Sequence, residues 1–529
     1  MSILLEDLDS HIISFLCLPN IVALMKVNNY YYQKIKCMRL IMEWNKMKHK
    51  KNNNVNDTFK IACKKGYILY AKSLINRYTI DIHHNYDISF YYSCIMNHLN
   101  IAKWLIELGE NEGQCKINIH NDDDIVLNLC CRNGNIEMVK WLIDLGENHG
   151  YGKFKYINNA FSNSCKNDNL EISKWLINLG EKYGYEKINI HKWAFYSSCH
   201  YGHIKKSLWL IDLGENHGYG KIDIHQKGLF SSSCRNGHIK TSKLLIDLGE
   251  NHGYGKIDIH DNNEKAFRWS CDNNHIEIAK WLIDLGENHG YNKINIHLYH
   301  ERAFHSCFFN VNIIMAKWLI DLGENHGYGK INIHTYDTDN YAIFNECYIK
   351  GNIEMLKWLI DLGENHGYGK INIHDNDERA FIMCCQDNIE LAKWLIDLGE
   401  NHGYGKIDIH SHYDIAFANY CEVVNIEIAK WLIELGEQPG QIKFNIHGCN
   451  ELAFINCCKT GKIEMAKWII HLGENQGYGK INIHSCDDEA LRLSCGNGFI
   501  DVAKWLIDLG KNHNYGKFKS KLIKKLKIK

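Results

Sequence analysis

Apolar residues return along this 529-residue chain in one stereotyped order. The string KWLIDLG, or a close variant, recurs thirteen times. Its tryptophan slot falls at Ser73, Trp104, Trp141, Trp175, Trp209, Leu244, Trp281, Trp318, Trp358, Trp394, Trp431, Trp468 and Trp505, with spacings of 31 to 40 residues and most often 37. A fixed period in this range marks an array of small supersecondary units. Residues 261–297 show one unit. Ala266, Phe267, Trp269, Ser270 and Cys271 give a short helix with a small or apolar face. Asp261 followed by Glu264 reads as a capping box for it. Asp272, Asn273 and Asn274 make a turn. Ile278, Leu282 and Leu285, at i, i+4 and i+7, predict a second helix from Ile276 to Leu285. Glu277, Lys280 and Asp284 are spaced on it for weak exposed pairs. Gly286 stands where a left-handed C-cap is expected. ENHGYNK is turn chemistry, and Ile294 to His297 alternate like a short extended arm.

Neither short helix holds alone in water, so each must bury its apolar face against neighbouring copies. The order of helix, turn, helix, loop and arm resembles the ankyrin repeat. Text of the NGHIEIAKWLIDLG type matches the outer helix and KINIH the entry to the hairpin, from Asp57 to Gly516. The resemblance implies a mainly α fold: an ankyrin-type helical-hairpin solenoid with short β-hairpin fingers, binding partner proteins on its concave face. Two departures stand out. The family's Thr-Pro-Leu-His opening is replaced by text such as Lys265-Ala266-Phe267-Arg268, and ENHGYGK lengthens the period.

Residues 1–45 do not fit the period. Leu8, Ile12 and Leu16 predict an amphipathic helix that Pro19 stops, and Ile21, Leu24, Val27 and Tyr31 form a second stripe. This text resembles an F-box, a small helical module. The family pattern falls on Leu5, Asp7, Leu8, Ile12, Phe15, Leu16, Leu18, Ile21, Leu24, Val27 and Tyr31, with Glu6 where a proline is usual. The resemblance implies docking on the adaptor subunit of a cullin-type ubiquitin ligase through Leu5, Leu8, Ile12, Phe15, Leu18, Pro19, Ile21, Leu24 and Val27. F-box and ankyrin modules are joined this way in proteins of large DNA viruses that interfere with host ubiquitination. The residues themselves equally fit a helical cap over the first repeat. The expected layout is therefore a module at 1–45, a linker at 46–56, about thirteen repeats over 57–516 and a basic tail at 517–529.

Composition changes little. With 61 basic and 62 acidic side chains the net charge is −1, which gives no chain-wide field for nucleic acid. No run of eighteen apolar residues suits a membrane span, and MSILLEDLDS lacks the basic start of a secretory signal. An intracellular, cytoplasmic monomer is expected, with a nuclear location left open by the lysine-rich tail. Most of the 21 cysteines recur once per repeat, as at Cys63, Cys94, Cys165, Cys199, Cys234, Cys271, Cys421 and Cys495, where a small buried residue packs. GENHGYGK at 146–153 is not a phosphate loop: Phe154 stands where Ser or Thr must reach magnesium, and the segment leaves a helix. Arm histidines such as His120, His260, His334 and His484 recur one repeat apart, roughly 10 Å, which is too far to share a metal. They are expected to bond within the hairpins, and the slot tryptophans to cover the seam between repeats.

No copy holds its own acid, base and nucleophile, so neither catalysis nor a cofactor is expected. The segment between INIH and the inner helix varies from copy to copy, and the ankyrin resemblance places it on the concave face. Candidate partner contacts there are Lys192, Trp193, Tyr196, Arg268, Tyr299, His300, Arg302, Tyr336, Arg379, His412, Tyr413 and Tyr420, rich in the side chains that dominate interface hot spots. The reading is an interaction protein that recruits a target to a ligase adaptor. The alternative is a scaffold that binds or sequesters a partner with no ubiquitin role.

Overall fold

A computed structural model describes residues 55–519, apart from 112–114, 192, 336–342, 345–346, 348–351, 422–425, 439–441 and 514. The F-box-like module, Lys192, Tyr336 and the end of the tail lie outside the described residues. The chain forms two compact units, residues 1–259 and 260–529. In each, inner helices pack on the inner helices before and after them, and each outer helix packs on the inner helix of its own repeat. None of the described helices is long and apolar enough to cross a membrane.

The period becomes structure through burial. In residues 261–297 the inner helix spans Asp261–Asp272 and buries Ala266, Phe267, Ser270 and Cys271. The outer helix spans Ile276–Asn288 and buries Ile278, Ala279, Leu282, Ile283 and Leu285. The slot tryptophans do cover the seam. Several of them lie beside the inner-helix phenylalanine of the repeat before, as in Phe59–Trp104 at 6.2 Å, Phe161–Trp209 at 6.3 Å, Phe267–Trp318 at 6.4 Å and Phe454–Trp505 at 6.3 Å. Exposed i, i+3 pairs decorate the outer helices, as in Glu427–Lys430 at 2.9 Å and Glu464–Lys467 at 2.8 Å.

Three sequence expectations fail, each for a physical reason. The outer helix does not end at Gly286 but runs to Asn288. Gly286 is helical, and the returning loop decides its identity: a Cβ there would meet the Asn292 carbonyl at 2.8 Å. At Gly363 the same clash would be with the Gly369 carbonyl at 2.6 Å. The left-handed glycines lie later, at Gly367 and Gly369, with φ of +67° and +85°. No side chain caps the inner helix at residue 261, so the capping box is absent. Instead Asn262, Asn263 and Glu264 form a left-handed turn, with φ of 53°, 57° and 58°. Finally, no strand forms among the described residues, so the fingers are not β-hairpins. Ile294 and Ile296 are buried and Asn295 exposed, as in a strand, but the arm's N–H groups bond to side chains.

Those side chains belong to a recurring node. The arm Asn or Asp accepts the N–H of the histidine two residues on, as Asn295 does from His297 at 3.0 Å, an Asx turn that fixes the ring. The histidine Nδ1 then meets a carboxylate four residues on. Eight such pairs occur among the described residues: His83–Asp87, His120–Asp124, His260–Glu264, His297–Glu301, His374–Glu378, His410–Asp414, His447–Glu451 and His484–Asp488, at 2.6 to 2.9 Å. The left-handed turn is what brings the acid beneath the ring. The carboxylate also accepts an arm N–H from the next repeat: Asn295 to Glu264 at 3.1 Å, Asn332 to Glu301 at 3.2 Å, Asn482 to Glu451 at 2.9 Å. The ring's Nε2 reaches the next repeat too, meeting the carbonyls of Tyr328, Tyr404 and Tyr478 from His297, His374 and His447 at 2.8, 2.9 and 2.9 Å.

The lengthened loop adds a second tie. Lys293 lies over the Tyr328 ring at 3.9 Å and donates to the Gly327 carbonyl at 2.8 Å. Lys330 repeats this on Tyr368 and Gly367 at 3.9 and 2.8 Å. The tyrosine hydroxyl donates back to the preceding repeat's glutamate, as Tyr254 does to Glu215 at 2.6 Å and Tyr515 to Glu474 at 2.7 Å. GYGK thus binds protein, with its lysine on a neighbouring carbonyl in place of a phosphate.

In the nodes of His120, His297, His374 and His447 both ring nitrogens face oxygen acceptors, so only the doubly protonated ring donates to both. For His120 the Asp124 carboxylate is the main cause of a pKa above the usual histidine value. For His297, His374 and His447 burial opposes the charge, but the glutamate and carbonyl bonds outweigh it and the pKa again rises. A raised folded pKa gives stability that is complete below the unfolded value of about 6.5 and is lost as pH rises through the folded value. The melting temperature, followed by circular dichroism, should therefore fall as pH rises above about 6.5, and His→Gln changes at these four positions should flatten that fall.

Candidate partner-binding face

The fingers and inner helices carry the residues that vary between copies. In the first unit Trp193 is 57% exposed and immediately precedes the inner helix Ala194–His200. Tyr196, one turn on, is half-buried and meets it edge-on at 6.1 Å. Tyr196 stacks on His200 at 5.9 Å, and His200 meets Tyr201 at 4.8 Å. Two predicted residues are thus joined to two that sequence reasoning passed over. The spacing of Tyr196 and His200, i and i+4, carried that signal.

A second feature was missed. The inner helix His84–Ile95 and the finger before it line a cleft of about 620 Å³ with Tyr86, Tyr91 and Tyr92 on one side and Asn121, Asp122 and Ile125 on the other. Tyr86 is 88% exposed at the finger tip, where its φ is +56°. Asn121 donates to the Tyr86 carbonyl at 2.9 Å, which ties that tip to the next finger. The Tyr91 and Tyr92 rings meet edge-on at 5.3 Å, and Lys64 lies over Tyr92 at 4.5 Å. NYDISFYY stands in the same variable segment as the chosen candidates.

In the second unit the candidates divide. Arg268 folds back on its own finger, donating Nε to the Asn263 carbonyl at 2.8 Å and Nη2 to that of Asn262 at 3.0 Å. Its guanidinium covers the Tyr299 ring at 4.5 Å. Arg492 makes the same pair of bonds, to Asp487 and Cys486 at 2.9 and 3.0 Å. An arginine here braces the left-handed turn, and what Arg268 offers outward is its stack with Tyr299. Tyr299, His300 and Arg379 are exposed, Arg302 is half-buried, and His412 is exposed and pairs with Asp377 at 3.8 Å. The structure does not bring Arg379 or His412 to the Arg268–Tyr299 finger. The side chains of Tyr413 and Tyr420 lie outside the described residues, as do Leu5, Leu8, Ile12, Phe15, Leu18, Pro19, Ile21, Leu24 and Val27.

Titratable groups away from the face are structural. Burial pushes the thiols of Cys63, Cys199 and Cys234 up to about 12, so they are packing groups rather than nucleophiles. Lys206 is fully buried where most other copies carry an apolar residue, and its ammonium donates to the carbonyls of Ser164, Asn167 and Asn169 at 2.6, 2.7 and 2.9 Å. Burial lowers its pKa, and those three acceptors supply what water would have given. His252 turns to Asp247 at 3.5 Å.

Residues 59–153 match the family model for ankyrin repeats, in three copies. The aromatic cleft of Tyr86, Tyr91 and Tyr92 lies within the matched residues. Ankyrin repeats serve in protein–protein interaction, and folds of this kind are typically non-enzymatic scaffolds. The helix pairs beyond residue 153 keep the same architecture in both units. A search of curated proteins gives no match. Among solved structures, the pentatricopeptide repeat protein PPR10 from maize aligns at 10% identity over 94% of this chain and 79% of that one, with a TM-score of 0.27, a likeness too slight to bear on the fold.

An exposed aromatic cluster of this kind is where interface energy concentrates. Tyr86→Ala combined with Trp193→Ala should reduce recovery of a cross-linked protein partner at least tenfold while leaving the melting temperature unchanged, since neither ring is in the core.

Proposed function

We propose that this chain is a scaffold that holds a partner protein on its fingers and inner helices and presents it to a second protein docked on residues 1–45. The observation that carries the first half is the exposure of Tyr86 and Trp193, with half-buried Tyr91 and Tyr92 lining the cleft beside Tyr86, on a frame whose polar ties are spent between repeats. Rigid helices with variable, exposed tips favour binding over chemistry.

The second half rests on the F-box-like text alone. Leu5, Leu8, Ile12, Phe15, Leu18, Pro19, Ile21, Leu24 and Val27 would form the docking surface for the adaptor subunit of a cullin-type ubiquitin ligase, and the partner held by the repeats would be the protein marked. A scaffold with no ubiquitin role is the alternative, in which residues 1–45 only cap the first repeat. Co-precipitation separates them. The full chain should recover the adaptor from cell extract, and Leu8→Asp with Phe15→Asp should abolish this while partner recovery persists. Failure of the wild-type chain to recover any adaptor removes the ligase role and leaves the scaffold.

A further inference from the structure

The residue after the recurrent cysteine occupies the same place in each repeat, at the end of the inner helix. In the first unit it is Lys64, Ile95, Arg132, Lys166, His200 and Arg235. In the second it includes Asp272, Gln386, Glu422, Lys459 and Gly496, which are mixed in charge. The basic character thus belongs to the first unit, in a chain whose net charge is only −1.

The structure sets these side chains in a row. The inner helices Asn121–Asn133, Ile157–Ser164, Ala194–His200 and Leu229–Arg235 pack in succession. Arg132 and Arg235 are exposed, and Lys166 and His200 half-buried. Neighbours on the row sense one another. Burial, then the charge of Arg132, lowers the Lys166 pKa. Burial, then the charges of Arg235 and Lys166, lowers that of His200. Tyr196 and Tyr201 flank His200, and Trp193 stands beside Tyr196, so the row has apolar contact area along its edge.

We propose that Arg132, Lys166 and Arg235 bind an extended acidic segment of a partner protein, with Asp or Glu at every third residue, while His200, whose ring meets Ser232 and Asn236 at 2.6 and 3.1 Å, spaces the row between Lys166 and Arg235. The reason is register. Packed helices step by roughly 8–10 Å, and a chain extended as a polyproline II helix advances about 3.1 Å per residue with three residues per turn, so every third side chain points the same way and three residues span one step. Two of every three side chains are then free to lie against the tyrosines. A nucleic-acid strand carries a charge about every 3.4 Å, far denser than the row.

This inference rests on the partner-binding reading and names the partner's chemistry. Its test uses the full chain and a fluorescein-labelled twelve-residue peptide with Glu at every third position, read by fluorescence anisotropy in low salt. The peptide should bind, its Gln analogue should bind at least tenfold more weakly, and added salt should weaken the Glu peptide. Arg132→Gln, Lys166→Gln and Arg235→Gln together should cost at least tenfold, as should the corresponding Glu variant, whereas Lys430→Gln with Lys467→Gln, on outer helices of the second unit, should change nothing. Equal affinity of the wild-type and Gln-variant chains overturns the proposal. So does tighter binding of a single-stranded oligonucleotide of equal charge. A protein partner that cross-links equally to the wild-type and Gln-variant chains overturns the row alone and leaves the partner-binding reading standing. Failure of that reading shows separately, as no cross-linked protein on the wild-type chain.

Discussion

An arm histidine that must satisfy two oxygen acceptors at once ties one repeat to the next. In the node of His297 the ring sits between the Glu301 carboxylate of its own repeat and the Tyr328 carbonyl of the following one. Glu301 in turn accepts the Asn332 amide of that following repeat. A carboxylate this buried is tolerated because a charged ring and a backbone N–H both complete it. Its position requires three non-glycine residues, Tyr299, His300 and Glu301, in left-handed backbone at φ of 55°, 53° and 63°, a local cost that the node offsets.

The remainder of the repeat follows from that tie. With the arm's amide bonded to a side chain, no hairpin is needed, and the finger becomes a short left-handed turn. The Glu–Tyr–Lys contacts of the lengthened loop reinforce the same tie, since Lys293 covers the ring of Tyr328 whose carbonyl His297 meets, and the Phe–Trp contacts fill the seam with apolar surface. Seams held this way leave the finger tips and the outward side of the inner helices free to vary. Tyr86 and Trp193 stand there, and the basic row lies along it.

The periodic burial was readable from the chain. Ile278, Leu282 and Leu285 lie on one buried face as their spacing requires, and Cys271 packs as a small hydrophobe. Contacts between repeats were not readable, because period analysis treats each copy by itself. Glu264 three residues after Asp261 looks like a cap until the next repeat's Asn295 amide is seen on it. Gly286 looks like a terminator until the loop carbonyl is seen against it. The candidate face shows the same limit. Trp193 and Tyr196 stand in a variable segment that the chain itself marks. The return of Arg268 to its own finger is not written in its spacing, and the Tyr86 cleft takes two adjacent repeats to form.

Amide hydrogen exchange tests the inter-repeat node most directly. The amides of Asn295, Asn332 and Asn482 lie in exposed arms with no strand partner, and they bond only across the seam to Glu264, Glu301 and Glu451. They should exchange as slowly as outer-helix amides such as that of Leu282. Exchange at the rate of an open loop would mean that the carboxylates do not hold the next repeat, and the structural explanation for the histidines, the left-handed turns and the missing hairpins would be lost.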